Sequence, residues 1–325
     1  MHPAFSVIFL TTLIGAGQGL FLALYTGQVY SVFEVLPAQD PARFHALGSL
    51  IALVLLALGL LSSFFHLGRP ERAWRAAACW RTSWLSREVI VLPAFMGAVM
   101  VWGLVHYGGW NPVLFTVRDA FDIDLSMALG AVAMLLAFAL YLCTGMIYAC
   151  IRQLQEWATP LTVVNYTLFG LASGFLLAAA FASWRGSALV AFYGGWAIAA
   201  TSVAFFTRAA SLVRNARLKH KSTLQTAIGV RHAKIVQKAQ GAMGGSFNTR
   251  EFFHGATPRK FAFVKWVFLV LVFPLPLLLA ALGLRSGSTA ILFAAFAVQY
   301  LGLLAERWFF FAQANHPQNL YYQTV

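Results

Sequence analysis

The 325-residue chain is 60% hydrophobic and 15% aromatic with only 10% charged residues, far below the roughly 25% charged content of soluble domains. That balance excludes a water-soluble globular protein and points to an integral membrane protein. The net charge of +13 would ordinarily suggest nucleic acid, but the bases cluster in short connectors between apolar runs, as membrane topology requires. No nucleic acid partner is therefore expected, and the basic surface faces membrane lipid.

The expected fold is all-α, a single membrane domain over residues 1–325 built as a bundle of eight transmembrane helices. A spanning helix needs about 20 mostly apolar residues. The first such run, Ala4 to Tyr30, lacks the basic n-region and A-x-A cleavage site of a signal peptide and reads as a retained helix. Within it GAGQG, Gly15 to Gly19, repeats small residues at i and i+4 and should let another helix approach closely, with Gln18 as an interhelical hydrogen-bonder. The second run, Ala46 to Phe65, has His45 at one end and His66 at the other; the third, Val89 to Tyr107, carries His106. Leu125 to Ile151, Leu161 to Ala182, Ser187 to Thr207, Trp266 to Leu284 and Ser288 to Ala305 complete the set. Tyr30, Tyr107, Trp110, Trp184, Trp266 and Trp308 lie near predicted ends, as an interfacial aromatic belt requires. Pro274 and Pro276 should kink the seventh helix and free carbonyls that need partners inside the bundle.

Orientation follows from Lys and Arg on alternate sides. One side holds Arg69, Arg72, Arg75, Arg81, Arg87, Arg152, Arg307 and the stretch from Arg208 to Lys265, 19 bases in all, against 4 on the other. This imbalance predicts both termini in the cytoplasm. The connector at about 208–261 is too long for a plain turn and carries eleven bases against one acid, Glu251. Its first half suits a basic amphipathic helix on anionic lipid. Its second half, GAMGGSFNTREFFHG, suits a shaped docking surface, with Arg250, Phe252 and Phe253 as contacts.

Cys79, Cys143 and Cys150 show no C-x-x-C pairing, so the chain alone should hold neither an iron–sulfur cluster nor a structural zinc. A haem between helices needs two imidazoles facing each other at one depth. His45 and His106 could do so at the outer ends of the second and third helices, but interfacial polar residues are the plainer reading, and no haem is expected. His66 differs in its neighbours. It ends one helix at the inner interface and Glu88 opens the next at the same depth, so the two can converge in a slot lined by Phe64, Phe65, Trp80 and Trp84. An imidazole and a carboxylate there could bond the carbonyls of a quinone ring and pass protons to it. The alternative is that each merely complements a helix dipole. Arg69, Arg72 and Arg75, spaced three apart, are either inside-positive anchors or guanidinium forks for carboxylates of a soluble partner. Arg81 or Arg87 could offset negative charge developing on a quinone.

MHPAFSVIFLTTLIGAGQG, HLGRPERAWRA from His66, RTSWLSRE from Arg81 and AERWFFFAQANHPQNLYYQ from Ala305 resemble the membrane anchor subunit of dimethyl sulfoxide reductase-type molybdoenzymes, over essentially the whole chain. Within that family, KSTLQTAIGVRH and MGGSFNTREFFHG look most like the membrane subunit of cytoplasmic quinone-reducing sulfite dehydrogenases. The resemblance implies an eight-helix anchor in the cell inner membrane that exchanges electrons with the quinone pool, ubiquinone or menaquinone. It also implies two partners on the cytoplasmic face: an iron–sulfur subunit, and a catalytic subunit holding molybdenum bis(pyranopterin guanine dinucleotide). The HLG-x-P histidine and the following glutamate of the family carry over to His66 and Glu88 as quinone contacts.

The combined expectation is the non-molybdenum subunit of a sulfite dehydrogenase complex that reduces quinone at His66 and Glu88, with Arg87, Arg81 and Trp84 around the ring. A quinol-oxidising anchor for reduction of dimethyl sulfoxide or another sulfur compound would use the same residues in reverse. A purely structural tether and a secondary transporter are the rivals of other classes. Transport is disfavoured because ionisable residues are expected only at the ends of spans, leaving Gln18, Asn165 and the kinked helix as midplane polarity.

Overall fold

In lipid every backbone N–H and C=O must be satisfied within its own segment, so the apolar runs fold as helices. The computed structural model describes residues 1–117, 121–219, 221–236, 238 and 253–320. In chain order these form α1 (Phe5–Val32), a π-turn (Pro41–Ala46) leading into α2 (Leu47–Phe64), a 3-10 helix (Pro70–Cys79), and α3 (Trp84–Gly108). After a strand pair, β1 (Val113–Val117) and β2 (Phe121–Asp124), come α4 (Leu125–Ala149), α5 (Pro160–Trp184), α6 (Val190–Ala216) and the short α7 (Leu224–Ile228). The chain closes with α8 (Pro258–Val272), α9 (Pro274–Ser286) and α10 (Thr289–Gln313). Counting α8 and α9 as one broken span, eight helices are long and apolar enough to cross a membrane. The chain is a multi-pass membrane protein.

Local sequence sets the helix starts. Ser83, Asp124, Thr159, Thr257 and Ser288 each accept a hydrogen bond from a backbone amide of the first turn that follows, and Pro160 and Pro258 occupy first helical positions where no N–H is needed. Three helices outrun their apolar cores. α3 begins at Trp84, α6 continues to Ala216 and α10 to Gln313. Arg208, Glu306 and Arg307, expected in connectors, therefore lie inside helices and are buried. The connector accordingly begins after Ala216 rather than at residue 208. The strand pair, antiparallel with Val113 opposite Asp124, is a departure from an all-helical reading: Val113–Val117 is too short and too exposed to register as an element.

α1 and α5 form the centre, both largely buried. Their backbones touch because glycines line the contact: a Cβ on Gly19 would sit 2.0 Å from the Gly170 carbonyl oxygen, and one on Gly174 2.1 Å from Gly19 C. Gln18 Nε2 donates to Ala137 O on α4 at 2.9 Å, and Asn165 joins α5 to Thr207 and Ser211 on α6. The small-residue stripe and Gln18 thus serve helix packing, as expected. α2, α3 and α4 complete one half of the bundle; α6, α8, α9 and α10 complete the other.

The seventh span breaks at Phe273 (φ −113°, ψ −83°). Val272 O would take its helical hydrogen bond from residue 276, but Pro276 has no N–H. Gln299 of α10, fully buried, fills the gap: its Nε2 donates to Val272 O at 3.3 Å and to Thr201 Oγ1 at 3.0 Å. The Met1 amino group donates to Ala314 O at 2.8 Å. Residues 1 and 314 therefore share one face, the terminal face, with the 150–159 loop and the α2–α3 hairpin.

Candidate functional site

The α2–α3 hairpin sits on the terminal face. α2 tightens at its end, with the amides of Phe65, His66 and Leu67 bonded to carbonyls three residues back, and Pro70 then opens a 3-10 helix in which no residue is buried. Arg87 ties this segment to α3. Its Nε donates to Trp80 O at 2.9 Å and its Nη2 to Arg81 O at 2.8 Å, while the guanidinium lies 4.2 Å from the Trp84 ring centroid. Arg81 leans on Trp80 at 5.5 Å. Arg69, Arg72 and Arg75 are not buried, and Trp74 is exposed; Arg72 meets Glu71 at 3.8 Å.

Successive residues of α3 face different ways, so Glu88 points inward where Arg87 points out. Glu88 is buried, and Thr144 Oγ1 of α4 donates to its Oε1. It lines a small cavity with Thr11, Gln18, Tyr141, Thr144 and Tyr166, with space for about one water. Among the described residues no cation pairs with Glu88.

His66 lies outside this cavity. It is exposed at the hairpin, although partial burial of the imidazole lowers its pKa below the ordinary value. No hydrogen bond or ion pair joins it to Glu88, and the expected closed slot is not formed: Phe64, Phe65 and Trp80 are exposed and Trp84 half-buried. The two residues flank the same hairpin at one face, one on its surface and one beneath. Phe253 is half-buried; Arg250 and Phe252 lie outside the described residues.

Next to the Glu88 cavity lies a charged cluster whose residues, taken one at a time in sequence, belong at the membrane surface. Glu306 is flanked by two guanidiniums, Arg208 Nη2 at 2.8 Å and Arg307 Nη1 at 2.9 Å, and all three side chains are buried. The Arg208 contact is an ion pair rather than an aligned hydrogen bond. Arg307 also stands 3.6 Å from the Tyr166 ring centroid, a close cation–π contact. Two bases against one acid leave a surplus charge, and the buried Glu156 lines the same cavity. An acidic and a basic residue adjacent in AERWFFF, inside an apolar run, is the sequence signal for this pair. Thr144, Tyr141 and Tyr166 carry no such signal.

On the opposite face His45 and His106 are buried at the ends of their helices, with ring centroids 4.7 Å apart and Trp102 against both. Rings in mutual contact leave no room for an iron porphyrin between them. Among the described residues no group of three or more His, Cys, Asp or Glu could hold a metal ion.

The family profile of the DMSO reductase anchor subunit (DmsC) matches residues 1–310. The chain is also 61% identical to a sulfite dehydrogenase subunit from Allochromatium vinosum over 325 residues, the full length of both proteins. With eight spans, a hairpin of outward-facing arginines and tryptophans, and similarity from end to end, the chain belongs to the DMSO reductase anchor subunit family.

Proposed function

We propose that the chain is the quinone-reducing membrane subunit of a sulfite-oxidising molybdenum and iron–sulfur complex in the cell inner membrane. The observation that carries this reading is Glu88: a buried carboxyl with no cation partner, beside a water-sized cavity and under the hairpin that bears His66. Burying an unpaired carboxyl is costly, so its retention at the membrane edge suits an acid that gives up and regains a proton.

The fit to a quinone is at the hairpin, not within the cavity, which is too small for a ring. Exposed Phe65, Trp80 and the half-buried Trp84 offer aromatic faces there. His66, neutral at pH 7 because its pKa is lowered, donates a hydrogen bond to one carbonyl. Glu88 supplies a proton from beneath. Arg87 and Arg81 offset the charge that builds up on the oxygen. Bound quinone accepts two electrons and two protons; the electrons come from the iron–sulfur partner and the protons through this chain.

The partners dock on the terminal face, which the excess of bases assigns to the cytoplasm. Arg69, Arg72 and Arg75, on and just before the unburied 3-10 segment, meet acidic groups of the iron–sulfur subunit, and Arg250, Phe252 and Phe253 are further partner contacts on the sequence reading. The molybdenum cofactor and the clusters stay in those subunits. The relative's name favours sulfite as donor over the quinol-oxidising direction, for which the same groups would serve.

Glu88→Gln or His66→Gln should abolish sulfite-dependent quinone reduction by the purified complex and leave reduction of an artificial dye by the soluble subunits intact. Full quinone activity in both variants would refute the site.

A further inference from the structure

Reduction of quinone consumes protons at Glu88, which must be reloaded after each transfer. Glu88 is itself buried, and a path to it lies inside the bundle. The Glu88 cavity and the cavity around the Arg208–Glu306–Arg307 cluster are separate, each with space for about one water, and share one polar wall residue, Tyr166. The Tyr166 hydroxyl is buried and makes no aligned hydrogen bond among the described residues, with the Tyr148 hydroxyl of α4 as its polar neighbour, which leaves it free to bond a water on either side. The second cavity is also lined by Glu156, in the 150–159 loop on the terminal face. It too is buried, and its Oε2 is unpartnered. Thr162, Asn165 and Ser211 supply further polar wall.

We propose that Glu156 and Tyr166 form an internal proton relay that reloads Glu88 from the aqueous phase at the terminal face. The inference rests on Glu88 as the quinone-side acid. In each cycle Glu88 gives its proton to a quinone oxygen reduced by electrons from the partner's iron–sulfur chain. The Tyr166 O–H bond breaks as a water in the first cavity passes a proton to the Glu88 carboxylate. Tyr166 regains a proton through a water in the second cavity from Glu156, which takes one from bulk. Each proton passed to the quinone draws one from the aqueous phase, two for each quinol formed, and no residue is left altered. Burial opposes a phenolate at Tyr166; the guanidinium of Arg307, 3.6 Å from the ring centroid, offsets part of that cost and disfavours an excess proton there. Glu306, held between two guanidiniums, is a fixed counter-charge rather than a carrier.

The test uses the intact complex isolated with this chain, with sulfite as donor and a short-chain quinone as acceptor. Tyr166→Phe, which keeps the ring and its cation contact, and Glu156→Gln should each slow quinone reduction by about tenfold or more, the low end of a general-acid contribution. Both should raise the solvent deuterium isotope effect while leaving the quinone KM and dye reduction unchanged. Glu156→Asp, which keeps the carboxyl, should recover most of the rate lost in Glu156→Gln. A merely structural loss would neither change the isotope effect nor be rescued by the shorter acid. If Glu88→Gln blocks quinone reduction but both relay variants keep the wild-type rate and isotope effect, the relay is wrong and the quinone site stands. If Glu88→Gln itself retains full activity, the site and the relay fall together.

Discussion

Glu306 offers the sharpest test of how charge is held inside this bundle. Its carboxylate makes two ion pairs, at 2.8 and 2.9 Å, and the three side chains concerned are only 1–4% exposed. Glu306→Gln preserves shape but leaves two guanidiniums facing each other out of water, with Glu156 as the remaining acid in that cavity. Removing one partner of a buried pair costs about 3–5 kcal/mol, or roughly two to three and a half powers of ten in the unfolding equilibrium. The assay is the midpoint of unfolding in mixed micelles titrated with SDS, read by far-ultraviolet circular dichroism. Glu71→Gln is the reference: its pair with Arg72 is 3.8 Å long and exposed, so its loss should lie within about 0.5 kcal/mol of zero. Replacing Arg208, Glu306 and Arg307 together by Met, Leu and Met should recover most of the loss, because no charge of the cluster then remains to be desolvated. If Glu306→Gln unfolds no earlier than Glu71→Gln, the cluster is solvated and the reasoning from burial is refuted.

Three further outcomes are expected in the same assay. Gly174→Ala places a methyl 2.1 Å from backbone of α1, which neither helix can yield without separating, and should cost about 1–3 kcal/mol or more. Gly97→Ala, with nothing within 4 Å of the new methyl, should instead gain about 0.5–1 kcal/mol; equal effects would show that α1 and α5 do not touch there. Gln299→Leu removes the donor that replaces the missing Pro276 amide and should cost about 1–3 kcal/mol, whereas a neutral result would mean that Val272 O finds another partner. For His66, burial favours the neutral ring in the folded state, so its contribution is complete above about pH 6.5, the ordinary imidazole value. It declines as pH falls through the lowered folded value. The stability difference between wild type and His66→Gln should therefore be flat above that pH and narrow below it, and a flat difference throughout would deny the shift.

Much of this architecture was legible in the chain because lipid leaves few choices. Apolar length alone marks eight spans, small residues at Gly15, Gly17 and Gly19 mark a close helix contact, and Pro274 with Pro276 marks a break. Those signals are local: each depends on what one segment can satisfy by itself. The hairpin motif pointed to His66 and Glu88 together, yet the fold separates them, since the inward side of α3 is set by packing against α4 and α1. Thr144 and Tyr166 were silent because a lone hydroxyl in an apolar helix has no pattern until a neighbour is known. Charge misled most. Arg208 and Arg307 counted as connector bases on one side of the membrane when viewed one segment at a time, because an isolated guanidinium belongs in water. Only the tertiary structure supplies Glu306 as a counter-charge, and with it the reason that α6 and α10 can carry bases into the bundle.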